Sequence, residues 1–189
     1  MQRRTFVRLA ASAAASASIL QSQTTAAAEP LKAVIIGHTK RGNFGHAMDV
    51  ALAHRPDVQV VAVSDPDEAG RAKAQARASA PRAYADYRQL LERERPQLAI
   101  VAPRWTDQRH VMVAAALEAG AHVYCEKPFT VTLAEADDLL ARATQARRRI
   151  AVAHQGRLAP DTLALKRALE AGTLGALLEI RIHGKQDRR

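Results

Sequence analysis

One cysteine, seven aromatic residues and no long apolar run after residue 28 limit what this chain of 189 residues can be. The single thiol, Cys125, excludes an internal disulfide framework and any multi-cysteine metal site, and no metal is expected. It leaves the redox compartment open. With so few aromatics there are few stacking platforms for a single nucleic-acid strand. No zinc-finger spacing occurs, and the arginines are scattered apart from small clusters at Arg147–Arg149 and Arg188–Arg189. The net charge of +9 therefore reads as solvated helix faces, and nucleic acid is not an expected partner. Downstream of residue 28 no apolar stretch approaches the roughly 18–20 residues of a spanning helix. An apolar share of 48% with 25% charged residues describes a globular chain rather than a disordered one.

Acidic residues are absent from positions 1–28, which carry three arginines, so removing this segment lowers the net charge from +9 to +6. The pair Arg3-Arg4 stands two residues before Phe6, a weakly hydrophobic Ala/Ser stretch runs from Leu9 to Leu20, and Ala26-Ala27-Ala28 supplies small residues before Glu29. A basic start, a modest apolar middle and a small-residue exit define a removable export signal. The arginine pair matches the twin-arginine pattern, which predicts cleavage before Glu29 and a periplasmic or envelope destination. Substrates of that route cross the membrane folded, so a dinucleotide would have to be bound before export.

About 161 residues remain, enough for one domain and part of another. Leu31–Ile36 is a short apolar, β-branched run that Gly37 ends, as in a buried parallel strand. A glycine loop follows, Gly37-His-Thr-Lys-Arg-Gly42-Asn-Phe-Gly45, and then a helical pattern over His46–Arg55 with Pro56 beyond it. Val58–Val63 reads as the second strand and closes on Ser64-Asp65. Strand, glycine loop, helix, strand and acid in that order is the dinucleotide-binding half-fold. The loop departs from G-x-G-x-x-G: Gly42 and Gly45 keep their spacing, but four residues separate Gly37 from Gly42. Asp65 lies twenty residues after Gly45, where a carboxylate can accept both ribose hydroxyls and repel a 2′-phosphate. NAD is thus favoured over NADP, unless Arg41 or Arg71 offsets that charge.

The alternation continues. Helices are expected at Pro66–Ala78, Asp86–Arg95 (ended by Pro96), Asp107–Ala119 (stopped by Gly120) and from the Thr132–Glu135 capping box to about Arg148. Strands are expected just before Tyr84, at Leu98–Ala102, at Ala121–Cys125 and at Ile150–Ala153. This spacing predicts an α/β fold, a doubly wound parallel Rossmann sheet.

Cys125-Glu-Lys-Pro128, placed directly after a strand and after Ala116-Leu-Glu-Ala-Gly-Ala-His-Val123, resembles the glucose–fructose oxidoreductase and inositol dehydrogenase (Gfo/Idh/MocA) family. Val63-Ser-Asp-Pro66, Tyr84-Ala-Asp-Tyr87 with Leu90-Leu91, and Ala102-Pro103 with His110 extend the likeness. Gly172-Thr-Leu-Gly175 and the Ile180-Arg-Ile182 strand resemble the entry to that family's second domain, so residues 31–187 are covered. The long glycine loop resembles an exported subgroup. The resemblance implies that Lys127 reaches a substrate hydroxyl, that Glu126 contacts the nicotinamide ribose, and that Pro128 follows a cis peptide. A lysine desolvated in a closed cleft suits proton transfer.

The candidate cofactor-binding set is Gly37, Thr39, Arg41, Gly42, Asn43, Phe44, Gly45, Asp65, Ala102, Pro103, Arg104, Glu126 and Lys127, with Lys127 as the catalytic candidate. His110 is either a family histidine or a structural one, and Trp105 either walls the cofactor or simply packs. Cys125 reads as a small buried residue. Arg157, in the hinge-like His154-Gln-Gly-Arg157, either touches substrate or caps the sheet.

The family's second domain is an open sheet carrying a histidine, usually in Asp-x-x-x-His, and no such pattern occurs between residues 160 and 189. The expected layout is a signal at 1–28, a dinucleotide-binding domain at 29–153 and the incomplete start of a substrate domain at 154–189, a truncated or partial member. Its first strand, Leu177–His183, would stand as an unpaired edge. Three functions follow from the resemblance: an NAD(P)-dependent oxidoreductase acting on a sugar or polyol, an NAD-dependent glycosidase, or a non-catalytic dinucleotide-binding remnant. A homo-oligomer is expected for the full-length form.

Overall fold

The computed structural model describes residues 29–173 and 175–181. The export segment therefore lies outside the described residues, as do Ile182 and His183 at the end of the expected last strand. Six strands, β1 (Leu31–Ile36), β2 (Val58–Ser64), β3 (Arg82–Tyr84), β4 (Leu98–Val101), β5 (His122–Cys125) and β6 (Ile150–Val152), form one parallel sheet in the order β3-β2-β1-β4-β5-β6. Five α-helices are described: α1 (Glu68–Ala78), α2 (Tyr87–Glu94), α3 (Arg109–Glu118), α4 (Leu133–Ala146) and α5 (Pro160–Glu170). The doubly wound Rossmann fold expected from the sequence is the one observed, with strand order reversing between β1 and β4.

The central strand shows why an apolar run folds this way. Ala33–Ile36 are fully buried. Because strand side chains alternate, Val34 and Ile36 enter a core with Leu90, Val113, Leu117 and Leu139 of α2, α3 and α4. Ile35 points to the other face, where Val63, Ala74 of α1, Phe44 and Met48 pack. A strand covered on both sides needs apolar residues at every position, and each fully buried Ile or Val contributes about 1.5–3 kcal/mol.

Helix ends follow their caps. Asp67 accepts from Gly70 N, Asp86 from Arg88 N, and Thr132 and Glu135 form the expected capping box of α4. Gly120, at φ 84°, stops α3.

Two expectations are corrected. The helix expected over His46–Arg55 is a series of turns around a single 3-10 turn at Met48–Val50. Ala47 sits in the left-handed region at φ 58°, which breaks the i to i+4 ladder. Burial of Phe44, Met48 and Asp49, the last paired with Arg77 of α1 at 2.5 Å, overrides the helical propensity of this Ala-rich segment. The second correction concerns the expected strand from Leu177: residues 177–181 carry no strand hydrogen bonds, and Leu177, Leu178 and Ile180 are exposed. A strand forms by pairing, and no neighbouring strand lies beside this segment among the described residues.

Candidate cofactor and active site

The glycine loop leaves β1 and folds across the carboxyl ends of the strands. Gly37 N donates to Ser64 O at 2.9 Å, and His38 and Asn43 pair as an antiparallel bridge with a 3-10 turn, Thr39–Arg41, between them. Gly42, at φ 88°, lies so near the Arg104 backbone that a Cβ there would stand 2.7 Å from Arg104 N. A Cβ on Gly45 would stand 2.6 Å from Ala102 O and 2.9 Å from Glu126 Oε2. Both glycines are thus required by close approach to the β4 end. Trp105 N also donates to Arg41 O at 3.3 Å.

Each end of the loop engages a carboxylate. Asp65, fully buried, accepts from Thr39 N at 2.9 Å, from Thr39 Oγ1 at 2.7 Å and from Asp67 N at 2.9 Å. The sequence expectation gave this carboxylate to a ribose; in the structure it fastens the loop to β2. Glu126, also fully buried, meets His46 Nδ1 through Oε1 at 2.6 Å, and its Oε2 lies beneath Gly45 without a partner among the described residues.

The remaining candidates fall into three places. Ala102 and Pro103 are buried at the β4 end, where Ala102 N donates to Ile36 O at 2.9 Å, while Arg104 and Asn43 are exposed at the surface of the loop junction. Arg41 pairs with Asp107 and lies 5.9 Å from the centre of the half-exposed Trp105 ring, forming an outer rim. The cation beside Asp65 is Arg71, whose Nη1 donates to Asp65 O at 2.7 Å. Phe44 is 4% exposed and its ring packs directly on Gly37, so its side chain belongs to the core rather than to a ligand.

Lys127 follows β5 at the same end of the sheet. The Lys127–Pro128 peptide is cis, as the resemblance implied. The side chain is exposed, so the closed surroundings expected for it are not supplied by the described residues. It borders an open cavity of about 410 Å³ with His154, Gln155 and Arg157, which places Arg157 on the lysine's side of the cleft. Cys125 is buried, and burial pushes its thiol up to about 11, so it is not a nucleophile at neutral pH. His110 stays in the helix layer, where its Nε2 lies 2.7 Å from Asp138 Oδ2 and joins α3 to α4. Arg142 and His110 together hold the Asp138 carboxyl below its ordinary range.

Sequence reasoning missed Arg109, the largest fully buried side chain. Its guanidinium donates to the carbonyls of Pro103, Glu126 and, at 2.8 Å, Pro128. One side chain thus ties the loop after β4 to the Glu-Lys-Pro loop after β5. Burial lowers its pKa. A signal was available: a cation in the first turn of a helix opposes the helix dipole and calls for another use. His46, which holds Glu126, and Asp49 were missed as well, because the segment read as an ordinary helix.

A cavity of about 240 Å³ opens at the carboxyl ends of β1 and β2, lined by Gly37, His38, Ser64, Pro66, Tyr87 and Met112 among others. Its location outside the strand ends, beside the point where strand order reverses, is where open α/β sheets bind nucleotides. Three buried polar atoms on its lining residues, His38 Nδ1, Ser64 Oγ and Tyr87 OH, have no hydrogen-bond partner among the described residues. The cavity's place at these strand ends, beside the glycine loop, fits one end of a dinucleotide.

The profile of the oxidoreductase family described as having an NAD-binding Rossmann fold (Gfo/Idh/MocA) matches residues 31–154. The chain is 43% identical over 84 residues to the uncharacterized oxidoreductase YdgJ of Escherichia coli, covering 44% of this chain and 24% of that protein. It is 35% identical over 120 residues to inositol 2-dehydrogenase 1 of Saccharopolyspora erythraea, covering 62% and 35%. A solved structure of a probable dehydrogenase from Thermotoga maritima superimposes with a TM-score of 0.65 at 26% identity, over 77% of this chain and 42% of that one. The chain thus spans between about a quarter and two fifths of the length of these relatives. With the strand order, the glycine loop and the Glu-Lys-Pro turn all in their places, the chain belongs to the Gfo/Idh/MocA oxidoreductase family and carries its NAD-binding Rossmann domain.

Proposed function

We propose that this chain is the cofactor-binding part of an NAD-dependent oxidoreductase that acts on a sugar or polyol hydroxyl, with Lys127 as its proton-transferring group. The observation that carries this reading is the Arg109 clamp. It holds the Pro103 and Glu-Lys-Pro loops together at the strand ends, so that Lys127 emerges beside the cofactor crevice and borders a cavity open toward a substrate. Bound NAD supplies the hydride acceptor. Lys127 Nζ takes the hydroxyl proton, buried Glu126 supports the turn beneath Gly45, and Arg157 and His154 position the remaining hydroxyls by hydrogen bonding. Residues 154–189 begin the substrate domain, whose apolar contacts account for the exposed Leu165, Leu177, Leu178 and Ile180.

The test is a panel of polyols and sugars assayed for net NADH formation, with Lys127→Ala beside the parent. The parent is expected to reduce NAD with at least one of them. The variant should lose about 10²–10⁴-fold in turnover while its NAD affinity stays within a few-fold. A sugar released with no net NADH would favour the glycosidase route, and an equally active variant would remove Lys127 from the mechanism.

The basic pair, the Ala/Ser stretch and the Ala-Ala-Ala exit support export by the twin-arginine route to the periplasm. In a bacterial host, the secreted form should begin at Glu29, and replacing Arg3 and Arg4 by lysines should retain the uncut protein in the cytoplasm. Unchanged export of that variant would overturn the assignment.

A further inference from the structure

We infer that the substrate of this oxidoreductase carries an anionic group, a carboxylate or a phosphate, held by Arg157 and Lys166. The inference rests on the function proposed above and narrows its substrate class. A hydroxyl of the same molecule meets Lys127. The cleft beyond Lys127 consists of two cavities that share His154 and Arg157. One, of about 410 Å³, is bordered by Lys127 and Gln155. The other, of about 510 Å³, lies between the end of β6 and α5 and is lined by Val152, Thr162, Leu163 and Lys166 among others. Each falls within the roughly 300–1,000 Å³ of a small-molecule site.

Local structure brings the cations together. The 3-10 turn Gln155–Leu158 follows β6 and carries Arg157. Pro160 then opens α5, on which Thr162 and Leu163 stand four and three residues before Lys166 and share its face. Three cations and an imidazole therefore border one cleft, and no carboxylate lines either cavity among the described residues. Cations with structural partners are placed differently: Arg41, Arg77, Arg82 and Arg142 each meet an acid. Lys127 and Arg157 meet none among the described residues. Lys166 meets only Glu170, at 3.6 Å along an exposed helix face, and a pair of that kind contributes little. A cleft lined by one sign of charge raises the local concentration of the opposite one. The guanidinium fork of Arg157 matches a carboxylate or a phosphate, and the Lys166 ammonium adds a point charge. His154, Gln155 and Thr162 are left to the hydroxyls, and Val152 and Leu163 to the carbon skeleton. A neutral polyol offers the three charges no counterpart.

The test is calorimetric titration of the full chain, saturated with NAD, with glucose, glucuronate and glucose-6-phosphate at low and high salt. At low salt the better of the two anions is expected to bind about tenfold more tightly than glucose, and the advantage should shrink at high salt. Whichever anion gains more identifies the group as carboxylate or phosphate. Arg157→Gln and Lys166→Gln should each cut the advantage about three- to fivefold and melt with the parent, since both side chains are exposed. Lys73→Gln removes a cation of α1 that lines neither cavity and should leave the advantage in place. Anions bound no more tightly than glucose, or an advantage that Lys73→Gln lowers as much as the cleft variants do, would overturn the anionic group while leaving the sugar or polyol reading standing. NAD bound with none of the three sugars taken up would remove both.

Discussion

Arg109 concentrates the energetics of the site in one side chain. Buried in the first turn of α3, it satisfies carbonyls of Pro103, Glu126 and Pro128 that have left the sheet ladder at their strand ends. Each buried carbonyl stripped of its donor costs about 1–3 kcal/mol. Arg109→Met keeps the length and apolar bulk but not the donors, and should lower unfolding free energy by about 3 kcal/mol or more in urea titration. Nucleotide affinity should fall in the same variant, because the two loops that flank the crevice lose their common anchor. A variant as stable as the parent would show that the clamp is dispensable. Asp65 teaches a related point. Its position at the β2 end was legible from spacing, but beside the local Asp67 N its donors come from Thr39, twenty-six residues earlier, and no local pattern reports that pairing. Phe44 was read with the loop as a ligand neighbour. Only the packing of its ring on Gly37 assigns it to the core.

At the scale of elements, helices with strong start signals fell close to their expected bounds. The Thr132–Glu135 box opens α4, with Glu135 N donating to Thr132 Oγ1 at 3.2 Å and Val131 N to Glu135 Oε2 at 2.9 Å. Thr132→Ala should cost about 1 kcal/mol, read as a shift in the denaturation midpoint, and Thr132→Ser much less. The segment after the glycine loop behaved differently. Its apolar spacing allows a helix, yet Ala47 turns left-handed so that Phe44 and Met48 reach the sheet and Asp49 reaches Arg77. Periodicity describes which residues are apolar. It does not describe where a longer loop leaves the chain when it returns to the core.

Across the whole molecule, the sheet edge at β3 adds a charged cluster to the packing of Ala83 and Tyr84 on the two cores. Glu94, at the end of α2, accepts from Arg82 Nε and Nη2 at 2.6 Å each and from Tyr84 OH at 2.6 Å. Arg82 above all, then Tyr84, holds the Glu94 carboxyl below its ordinary value near 4.5 against the opposing effect of burial. A carboxylate whose folded pKa is depressed stabilises fully above its unfolded pKa and loses that contribution as pH falls through the folded one. Stability is therefore expected to drop below about pH 4.5, and Glu94→Gln should lower the plateau above that pH and flatten the acid limb. An acid limb identical in parent and variant would assign the loss to other groups. The opposite edge, where α5 has no buried residue and Leu165 is exposed, matches a chain that spans less than half of its relatives' length.

What the sequence by itself determined is the alternation of elements, the strand order's family and the places where chemistry concentrates. Apolar runs, caps and glycines act locally, and the Glu-Lys-Pro turn is contiguous. Tertiary structure alone decided who partners whom. Thr39 takes Asp65, His46 takes Glu126 and Arg109 gathers the carbonyls of Pro103, Glu126 and Pro128. Those partnerships join residues far apart in the chain, and they are set by the desolvation cost of buried polar atoms, which only packing reveals.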